Sequence, residues 1–268
     1  MKTILYLTDF YYQANGRNYY EEDLYITEKL KPHFNVLIGH PHQAISNLEK
    51  ADVVVFRNTG PIAGYQEYFQ EMLKVVKEKN IKTFNSFDGK GDILGKQYLL
   101  ELTKAGFPVI PTVSNISQLE ILGDTDIYVV KLLNGADSIG MEFLTKDQLV
   151  AASPSGKIIQ PFIDFKYEVS FYFLNEQFQY ALYAPDKSKR WKLEEYHPSN
   201  DDLIFAEKFI NWNGIQHGVT RVDACRKQDG SLLLVELEDL NPFLSIDLLS
   251  ESKRQNFLDN FIRALKQV

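Results

Sequence analysis

Three carboxylates and one arginine stand at alternate positions near the end of the chain, in two groups. Arg221 and Asp223 form the first group, and Glu236 and Glu238 form the second. Alternate residues of a β-strand face the same side, so each group presents its charges on one face. One arginine cannot neutralise three neighbouring carboxylates, whereas a divalent cation can. Mg²⁺ takes carboxylate oxygens and keeps substrate phosphates in its remaining positions, so the pattern predicts a metal site that binds phosphate.

The turn between the two groups decides whether they meet. The dipeptide Asp229-Gly230 favours a two-residue type I′ hairpin turn. If Gln228 pairs with Ser231 across that turn, Asp223 lies opposite Glu236, and the arginine lies opposite the second glutamate two residues further on. All four side chains then share one face. The alternative, which the hairpin alone leaves open, is the solvated outer face of a sheet.

Composition limits the function classes. The chain has 268 residues, of which 44% are hydrophobic and 24% charged, as in an ordinary globular protein. Its formal net charge of −7 argues against nucleic-acid binding, because phosphate neutralisation needs clustered Lys and Arg. No apolar run reaches the roughly 18 residues of a membrane span, and Asp9 interrupts the first apolar stretch, so we expect a cytoplasmic protein. Cys225 is the single cysteine, and the histidines lack metal-ligand spacing.

The elements that must position these residues begin with an alternation of strands and helices. Apolar patterns predict strands over residues 2–8, 35–39, 51–58 and 81–85, and helices over 21–30, 45–50 and 64–79. Such an alternation predicts a small parallel sheet with ligand-binding loops at the carboxyl ends of its strands. Arg57 and Asn58 follow the third strand, and the planar fork of Arg57 could clamp a substrate carboxylate. A surface salt bridge is the alternative for Arg57.

The remaining two thirds of the chain are predicted to contain further helices and strands. The pattern predicts helices over residues 93–105, 200–212 and 250–266, and strands ending at Lys131 and over residues 157–163, 168–174, 178–183, 221–226 and 232–237. The hairpin is therefore preceded by a series of strands that can form a sheet with it.

The hairpin resembles the carboxy-terminal metal-binding hairpin of the ATP-grasp superfamily, which includes D-alanine–D-alanine ligase and glutathione synthetase. Those families have Arg-x-Asp, a hairpin and then Glu-x-Asn, and this chain has RVD, a hairpin with DG, and VELEDLNP. The resemblance implies that Asp223 and Glu236 bind Mg²⁺ or Mn²⁺ and that Arg221 lies at the transferred phosphoryl group. Glu238 stands where Asn is usual and Asn241 follows three residues later, so either could complete the metal shell.

Two lysine-containing segments extend the resemblance. In GKQYLLELTKAGFPVIPT, Lys96 takes the place of the first phosphate-contacting lysine, with Lys90 as the runner-up and a solvated helix lysine as the alternative. In IYVVKLLNGADSIGM, Lys131 takes the place of the second, and a loop with Gly135 and Gly140 follows it. A lysine beside an amide-lined loop suits a polyphosphate.

The segment KIIQPFI resembles the hinge of the ATP-grasp fold, whose backbone reads the adenine edge. The resemblance implies that Gln160, Phe162 and Ile163 contact the adenine and that Glu168 holds the ribose hydroxyls. Ordinary core packing is the alternative for Phe162.

The resemblance implies an α/β chain with an ATP-grasp fold and an amino-terminal, parallel-sheet pre-ATP-grasp domain. The expected divisions are residues 1–85 for that domain, 86–111 for the connecting helix of the core, 112–162 for the lid, and 163–268 for the carboxy-terminal core with its hairpin.

The function implied is an ATP-dependent carboxylate–amine ligase that acts through an acyl phosphate. ATP, a small-molecule carboxylate and an amine would be its partners, without nucleic acid or membrane, and a homodimer is compatible with the family. The alternatives are an ATP-binding module without ligase activity and an acylphosphate-forming kinase.

Overall fold

The computed structural model describes residues 1–14, 16–133, 140–152 and 154–268. The strands are β1 (Thr3–Leu7), β2 (Gln13–Ala14), β3 (Arg17–Asn18), β4 (Asn35–Gly39), β5 (Val53–Phe56), β6 (Thr83–Phe84), β7 (Tyr128–Leu132), β8 (Glu142–Leu144), β9 (Lys157–Pro161), β10 (Phe165–Leu174), β11 (Gln177–Ala184), β12 (Glu194–Tyr196), β13 (Val219–Lys227) and β14 (Leu232–Glu238). The α-helices are α1 (Tyr19–Leu30), α2 (Gln66–Glu78), α3 (Gln97–Lys104), α4 (Lys146–Ala152), α5 (Asn200–Asn213) and α6 (Glu251–Gln267). In these described residues, no helix has the length and apolar character that a membrane crossing requires.

The amino-terminal sheet has the strand order β4-β1-β5-β6, and every neighbouring pair is parallel, as predicted. Alternate residues of β1 serve its two faces. Ile4 and Tyr6 pack in the cluster that contains α1 residues, and Leu5 and Leu7 pack in the cluster that contains Phe69 of α2. A parallel strand that is covered on both faces is apolar throughout, which explains why β1 and β5 were predictable from the sequence. The loops at their carboxyl ends remain free to line a site.

Two predicted helices are shorter or divided in the structure. The helix expected over residues 45–50 is replaced by short 3-10 turns at Pro41–Gln43 and Leu48–Lys50. The helix expected over residues 93–105 begins as a separate 3-10 turn at Asp92–Leu94, and α3 starts only after Gly95, whose φ is +75°. A residue in the left-handed region cannot continue a right-handed helix, so Lys96 becomes the N-cap of α3.

The carboxy-terminal sheet is antiparallel, with the strand order β12-β11-β10-β13-β14. One face is covered by α3 and α5 through residues such as Leu99 and Phe209. Helix α6 covers part of the other face, where Phe257 and Phe261 share a cluster with Tyr172 of β10. Phe261 also contacts Phe84 of the amino-terminal sheet, with ring centroids 5.3 Å apart. Helix α6 therefore packs against both sheets and fixes one relative to the other.

A third sheet, with the order β8-β7-β9, lies in the segment predicted as the lid. Its strands bury Val130 and Ile159 against Leu149 of α4. Lys131 lies near the carboxyl end of β7, as predicted. Gly135, in the predicted phosphate-covering loop, lies outside the described residues.

Candidate active site

The turn between β13 and β14 differs from the predicted type I′ turn. The N–H of Gly230 donates to the carbonyl of Lys227 at 3.1 Å, so Gln228 and Asp229 occupy the centre of the turn. Gly230 follows with φ of +89°, while Asp229 does not adopt positive φ. This is a three-residue connection with glycine in the left-handed position. The Asp229 carboxylate stabilises it by accepting the N–H of Ser231 at 2.9 Å.

A second irregularity restores the predicted pairing of the charged residues. Next to the turn, Ala224 lies opposite Leu234, one residue out of the predicted register. The register shifts between Asp223 and Ala224, so that Asp223 lies opposite Glu236. Arg221 then lies opposite Glu238, again as predicted. The two deviations of one residue cancel, and the charged face forms.

Carboxylate oxygens of Asp223, Glu236 and Glu238 all lie within 4.8 Å of one another. Arg221 is held between two of them: its Nε and Nη2 donate to Asp223 at 2.9 and 2.8 Å, and Nη2 also donates to Glu238. The hydroxyl of Ser170 donates to Asp223 Oδ1 at 2.6 Å from the neighbouring strand β10. The three carboxylates are half-buried, so water solvates their charges poorly.

Among the described residues, the three carboxylates of this cluster pair with two cations, Arg221 and Lys96. Burial raises the pKa of Glu238 to about 8, and repulsion from Asp223 and Glu236 adds to the effect although Arg221 opposes it. For Glu236, burial also raises the pKa, but Lys96 more than offsets this and the pKa is lowered overall. A cluster of hard oxygen donors that the local cations do not fully neutralise fits a divalent cation such as Mg²⁺.

Lys96, and not Lys90, reaches this cluster. Its Nζ lies 2.5 Å from Glu236 Oε1, and its backbone N–H donates to the carbonyl of Leu133 after β7 at 2.8 Å. Lys90 instead donates to the carbonyl of Trp212 at 2.9 Å, and its ammonium lies 5.5 Å from that indole ring. Lys96 therefore joins the hairpin to the segment that carries the second predicted lysine.

Lys131 lies in the same electrostatic environment. Burial lowers the pKa of its ammonium, the Lys96 charge lowers it further, and the carboxylate of Glu236 opposes both effects. Two lysines near one carboxylate form a cationic region beside the acidic cluster. Such a region suits the oxygens of a polyphosphate.

Asp92 and Asp239 form a reciprocal clasp that the sequence analysis did not predict. The Asp239 carboxylate accepts the N–H groups of Gly91 at 2.8 Å and Ile93 at 3.1 Å, and the Asp92 carboxylate accepts the N–H of Asp239 at 2.7 Å. Burial raises the pKa of Asp92 well above its usual range, and the charges of Asp239 and Glu238 raise it further. The clasp fixes the loop before Lys96 to the end of β14.

The site opens into a cavity of about 730 Å³ between the amino-terminal loops and the carboxy-terminal sheet. The hairpin charges, Asp92 and Lys96 line the cavity, and so do Arg17, Tyr19 and Phe243. A cavity of this size accommodates a nucleotide or a comparable set of small ligands. The sequence did not predict the last three residues, because none of them belongs to a motif. Arg17 begins β3, Tyr19 begins α1, and Phe243 follows β14.

The predicted adenine residues are placed at the end of β9. Gln160 is buried, and its amide donates to Thr112 Oγ1 at 2.9 Å. Phe162 is 50% exposed, and Ile163 is half-buried. These three residues do not line the 730 Å³ cavity, whereas Glu168 does. Glu168 forms a two-hydrogen-bond ion pair with Arg190, at 2.7 and 3.0 Å.

The predicted substrate residues Arg57 and Asn58 are both buried. Arg57 is 1% exposed and is not among the residues that line the cavity; it donates through Nη2 to the carbonyl of Pro242 at 2.6 Å. Its burial excludes the alternative of a surface salt bridge, and its role as a clamp for a substrate carboxylate stays a prediction. Asn58 lines the cavity and donates to the carbonyl of Tyr19 at 3.1 Å.

Asn241 and Glu238, the two residues that could complete a metal shell, both line the cavity. The amide of Asn241 donates to Thr59 Oγ1 at 3.0 Å. Glu238 has a carboxylate oxygen within 4.8 Å of oxygens of Asp223 and Glu236. This grouping supports Glu238 as a metal ligand.

No family model matches the sequence, and no curated protein matches it. Solved structures do match over nearly the whole chain. D-cycloserine synthetase DcsG has a TM-score of 0.75 at 17% identity, over 96% of this chain and 99% of that one. The ATP-grasp ligase PsnB, complexed with a phosphomimetic variant of its minimal precursor, Mg and ADP, has a TM-score of 0.67 at 14% identity, over 98% of each chain. D-alanine–D-alanine ligase from Bacillus anthracis, complexed with ATP, has a TM-score of 0.68 at 12% identity, over 100% of this chain and 99% of that one.

At these identities the likeness shows the fold. The chain has the α/β ATP-grasp fold, which confirms the predicted fold class. Helix α3, the sheet β8-β7-β9 and the hairpin β13-β14 follow one another along the chain in the order that the resemblance implied.

Proposed function

We propose that this chain, whose fold is that of the ATP-grasp ligases, is an ATP-dependent carboxylate–amine ligase that acts through an acyl phosphate. The observation that carries the proposal is the meeting of Asp223, Glu236 and Glu238 with Arg221 and Lys96 at one cavity. Three carboxylates beside two cations in a half-buried site can bind a metal–triphosphate complex and stabilise a phosphoryl group during transfer.

The residues fit a nucleotide and its metal. Asp223, Glu236 and Glu238 would hold Mg²⁺ or Mn²⁺, which when bound would neutralise phosphate charge and orient the transferred group. Lys96 would exchange its contact with Glu236 for a phosphate oxygen, and Lys131 would neutralise a second one. These roles are supported by the 2.5 Å contact of Lys96 and by the shared environment of the two lysines.

We place the nucleoside end of ATP near the lid. Gln160, Phe162 and Ile163 would provide the adenine-binding hinge after movement of the lid sheet toward the cavity. Glu168, which lines the cavity, would accept the ribose hydroxyls in place of part of its contact with Arg190. PsnB and the D-alanine–D-alanine ligase were crystallised with ADP and ATP, which supports nucleotide binding by this fold.

The proposed chemistry has two steps. A carboxylate oxygen of the first substrate attacks the γ-phosphorus of ATP, an oxygen–phosphorus bond forms, the bond to the bridging oxygen breaks, and ADP leaves. The amine of the second substrate attacks the carbonyl carbon of the acyl phosphate, the carbon–oxygen bond breaks, and phosphate leaves while the amine loses a proton. Arg221 stabilises the negative charge on the phosphoryl oxygens during both steps.

Phosphate release tests the proposal. The purified protein is incubated with ATP, Mg²⁺ and pools of carboxylic acids and amines, including amino acids, and inorganic phosphate is measured. A ligase releases phosphate only when both a carboxylate and an amine are present. ATP binding without phosphate release from any pool would favour an ATP-binding module, and an acyl phosphate product formed without an amine would favour a kinase.

The variant Asp223→Asn tests the role of the hairpin in that activity. It removes one carboxylate charge and changes the shape of the side chain little, so we expect metal-dependent turnover to fall by at least about 100-fold. The melting temperature in the absence of ligand serves as the control for folding. Full activity in this variant would remove the hairpin from the mechanism.

A further inference from the structure

Arg17 differs from the other cations that line the cavity. Lys96 pairs with Glu236, Arg190 with Glu168, and Arg221 with Asp223 and Glu238. Within the described part of the chain, Arg17 has no carboxylate within 4.0 Å. A half-buried cation that faces a cavity without a counter-ion attracts an anion.

The surroundings of Arg17 hold its side chain in place without using most of its donors. Its guanidinium carbon lies 5.7 Å from the centroid of the Phe243 ring, and the same ring stacks on Tyr19 with centroids 4.3 Å apart. Its hydrogen bond is a long one of 3.4 Å, from Nη1 to Ser245 Oγ. A guanidinium has five N–H donors in a planar fork, so the described contacts leave enough of them to bind a carboxylate with two hydrogen bonds.

Phe243 places Arg17 close to the site of phosphoryl transfer. The ring of Phe243 contacts Arg17, and its carbonyl accepts a hydrogen bond from Arg221 Nη1 at 3.2 Å. Both arginines therefore contact the same residue, and both line the same cavity. This arrangement allows a single small molecule in the cavity to contact Arg17 while its reactive group lies toward Arg221.

The charges of the cavity are arranged to orient a zwitterion. At the hairpin, the three carboxylates of Asp223, Glu236 and Glu238 already pair with the two cations Arg221 and Lys96. Arg17 lines the same cavity and has no carboxylate within 4.0 Å in the described part of the chain. A free carboxylate that enters the cavity therefore gains most at Arg17, and the amino group of the same amino acid points away from that cation.

We propose that Arg17 binds the carboxylate of an amino acid that serves as the amine substrate, and so selects amino acids over amines without a carboxylate. This inference rests on the proposed ligase function and goes beyond it, because it names the acceptor class and the residue that recognises it. The bound carboxylate is not the one that is phosphorylated. The amino group of the same molecule is directed toward the acyl phosphate.

The test uses the variants Arg17→Met and Arg17→Lys with free amino acids and their primary carboxamides. The probes are the twenty common amino acids, the D-enantiomers of alanine and serine, and the matching carboxamides, each with ATP, Mg²⁺ and the carboxylic acid pools. We expect the wild-type protein to use an amino acid far better than its carboxamide. In Arg17→Met we expect the KM for that amino acid to rise roughly 10- to 100-fold with kcat changed only a few-fold, because a charge-assisted contact to the carboxylate is lost.

A conservative variant, Arg17→Lys, and a control variant, Arg254→Met, separate recognition from folding. Arg17→Lys retains the charge and loses the fork, so it should give an intermediate KM. Arg254→Met is the matched control, because Arg254 also lies over an aromatic ring, 5.8 Å from that of Tyr25, but does not line the cavity. It should leave the KM for the amino acid unchanged.

The outcomes distinguish failure of this inference from failure of the proposed function. Equal use of amino acid and carboxamide, or an unchanged KM in Arg17→Met, would overturn the role of Arg17 and leave the ligase proposal standing. If no pool supports phosphate release, the melting temperature is measured with Mg²⁺, a non-hydrolysable ATP analogue and each amino acid. A stabilisation of the wild type that Arg17→Met loses still supports the inference, and its absence for every amino acid overturns it.

Discussion

A methyl group on Gly91 would lie 2.7 Å from the carbonyl oxygen of Leu237. It would also lie 2.9 Å from Cγ of Asp239, the residue whose carboxylate accepts the N–H of Gly91. The loop before α3 thus passes so close to the end of β14 that only glycine fits. This close approach brings Lys96 from one segment and Glu236 from the other into contact.

Gly91→Ala should therefore be destabilising. The added methyl group must displace backbone or break the clasp, and we expect the free energy of unfolding to fall by about 1–3 kcal/mol. Denaturant unfolding measures the change. Gly64→Ala is the matched control, since no atom lies within 4 Å of the added carbon there. Equal stability of the Gly91 variant and the wild type would show that the clasp does not constrain the loop.

Lys96→Met should lower both the stability of the unliganded protein and its affinity for ATP. The carboxylate of Glu236 loses its partner at 2.5 Å in a half-buried position, so we expect the free energy of unfolding to fall by about 1–3 kcal/mol. Adding Glu236→Gln in the Lys96→Met background should recover part of this loss. Calorimetric titration with Mg²⁺ and a non-hydrolysable ATP analogue should show weaker binding, by roughly 10-fold or more.

Lys90→Met is the control for the lysine assignment. Lys90 is exposed and contacts the carbonyl of Trp212, so its loss should change ATP affinity little. If Lys90→Met weakened ATP binding more than Lys96→Met, the phosphate contact would belong to Lys90.

Glu22 predicts a specific pH dependence of stability. Its buried carboxylate accepts the N–H groups of Leu244 at 2.9 Å and Ile246 at 3.2 Å, and Arg57 lies 3.9 Å away. Burial raises the pKa of Glu22 to about 7, although Arg57 opposes the shift. The unfolded chain releases this proton near pH 4.5, whereas the folded protein retains it until about pH 7.

Between these two pH values the folded state binds more protons than the unfolded state, so this group lowers stability as the pH rises. Glu22→Gln removes the titration. We therefore expect the free energy of unfolding of the variant, relative to wild type, to increase by up to about 3 kcal/mol from about pH 5 to about pH 8. Urea unfolding across this range measures the difference. A difference that does not change with pH would show that Glu22 ionises normally in the folded protein.

The charged face of the hairpin was predictable from sequence because the period of two and the glycine turn are local signals. The predicted type I′ turn was wrong, because Gly230 has positive φ and Asp229 does not. The predicted pairing of Asp223 with Glu236 was nevertheless correct, because a register shift beside Asp223 compensates for the longer turn. The parallel strands β1 and β5 were predictable because they are apolar and buried almost throughout.

Other parts of the site depend on contacts between distant segments. Asp92 acts through Asp239, which is 147 positions away along the chain, and neither residue has a local pattern that indicates the pairing. Arg57 follows a strand, which is why the sequence suggested a substrate-binding role. Its burial results from contacts with distant residues, namely Glu22 and the carbonyl of Pro242. Such pairings become visible only when the segments are brought together in the fold.

A ligase that acts through an acyl phosphate transfers one carboxylate oxygen of its substrate to the released phosphate. With the substrate pair that supports phosphate release, the carboxylic acid is labelled in both carboxyl oxygens with the heavy oxygen isotope, and the released phosphate is analysed by mass spectrometry. We expect one labelled oxygen atom in each phosphate, because the attacking oxygen stays with phosphorus when the amine displaces it. Phosphate released without label would contradict the acyl-phosphate mechanism.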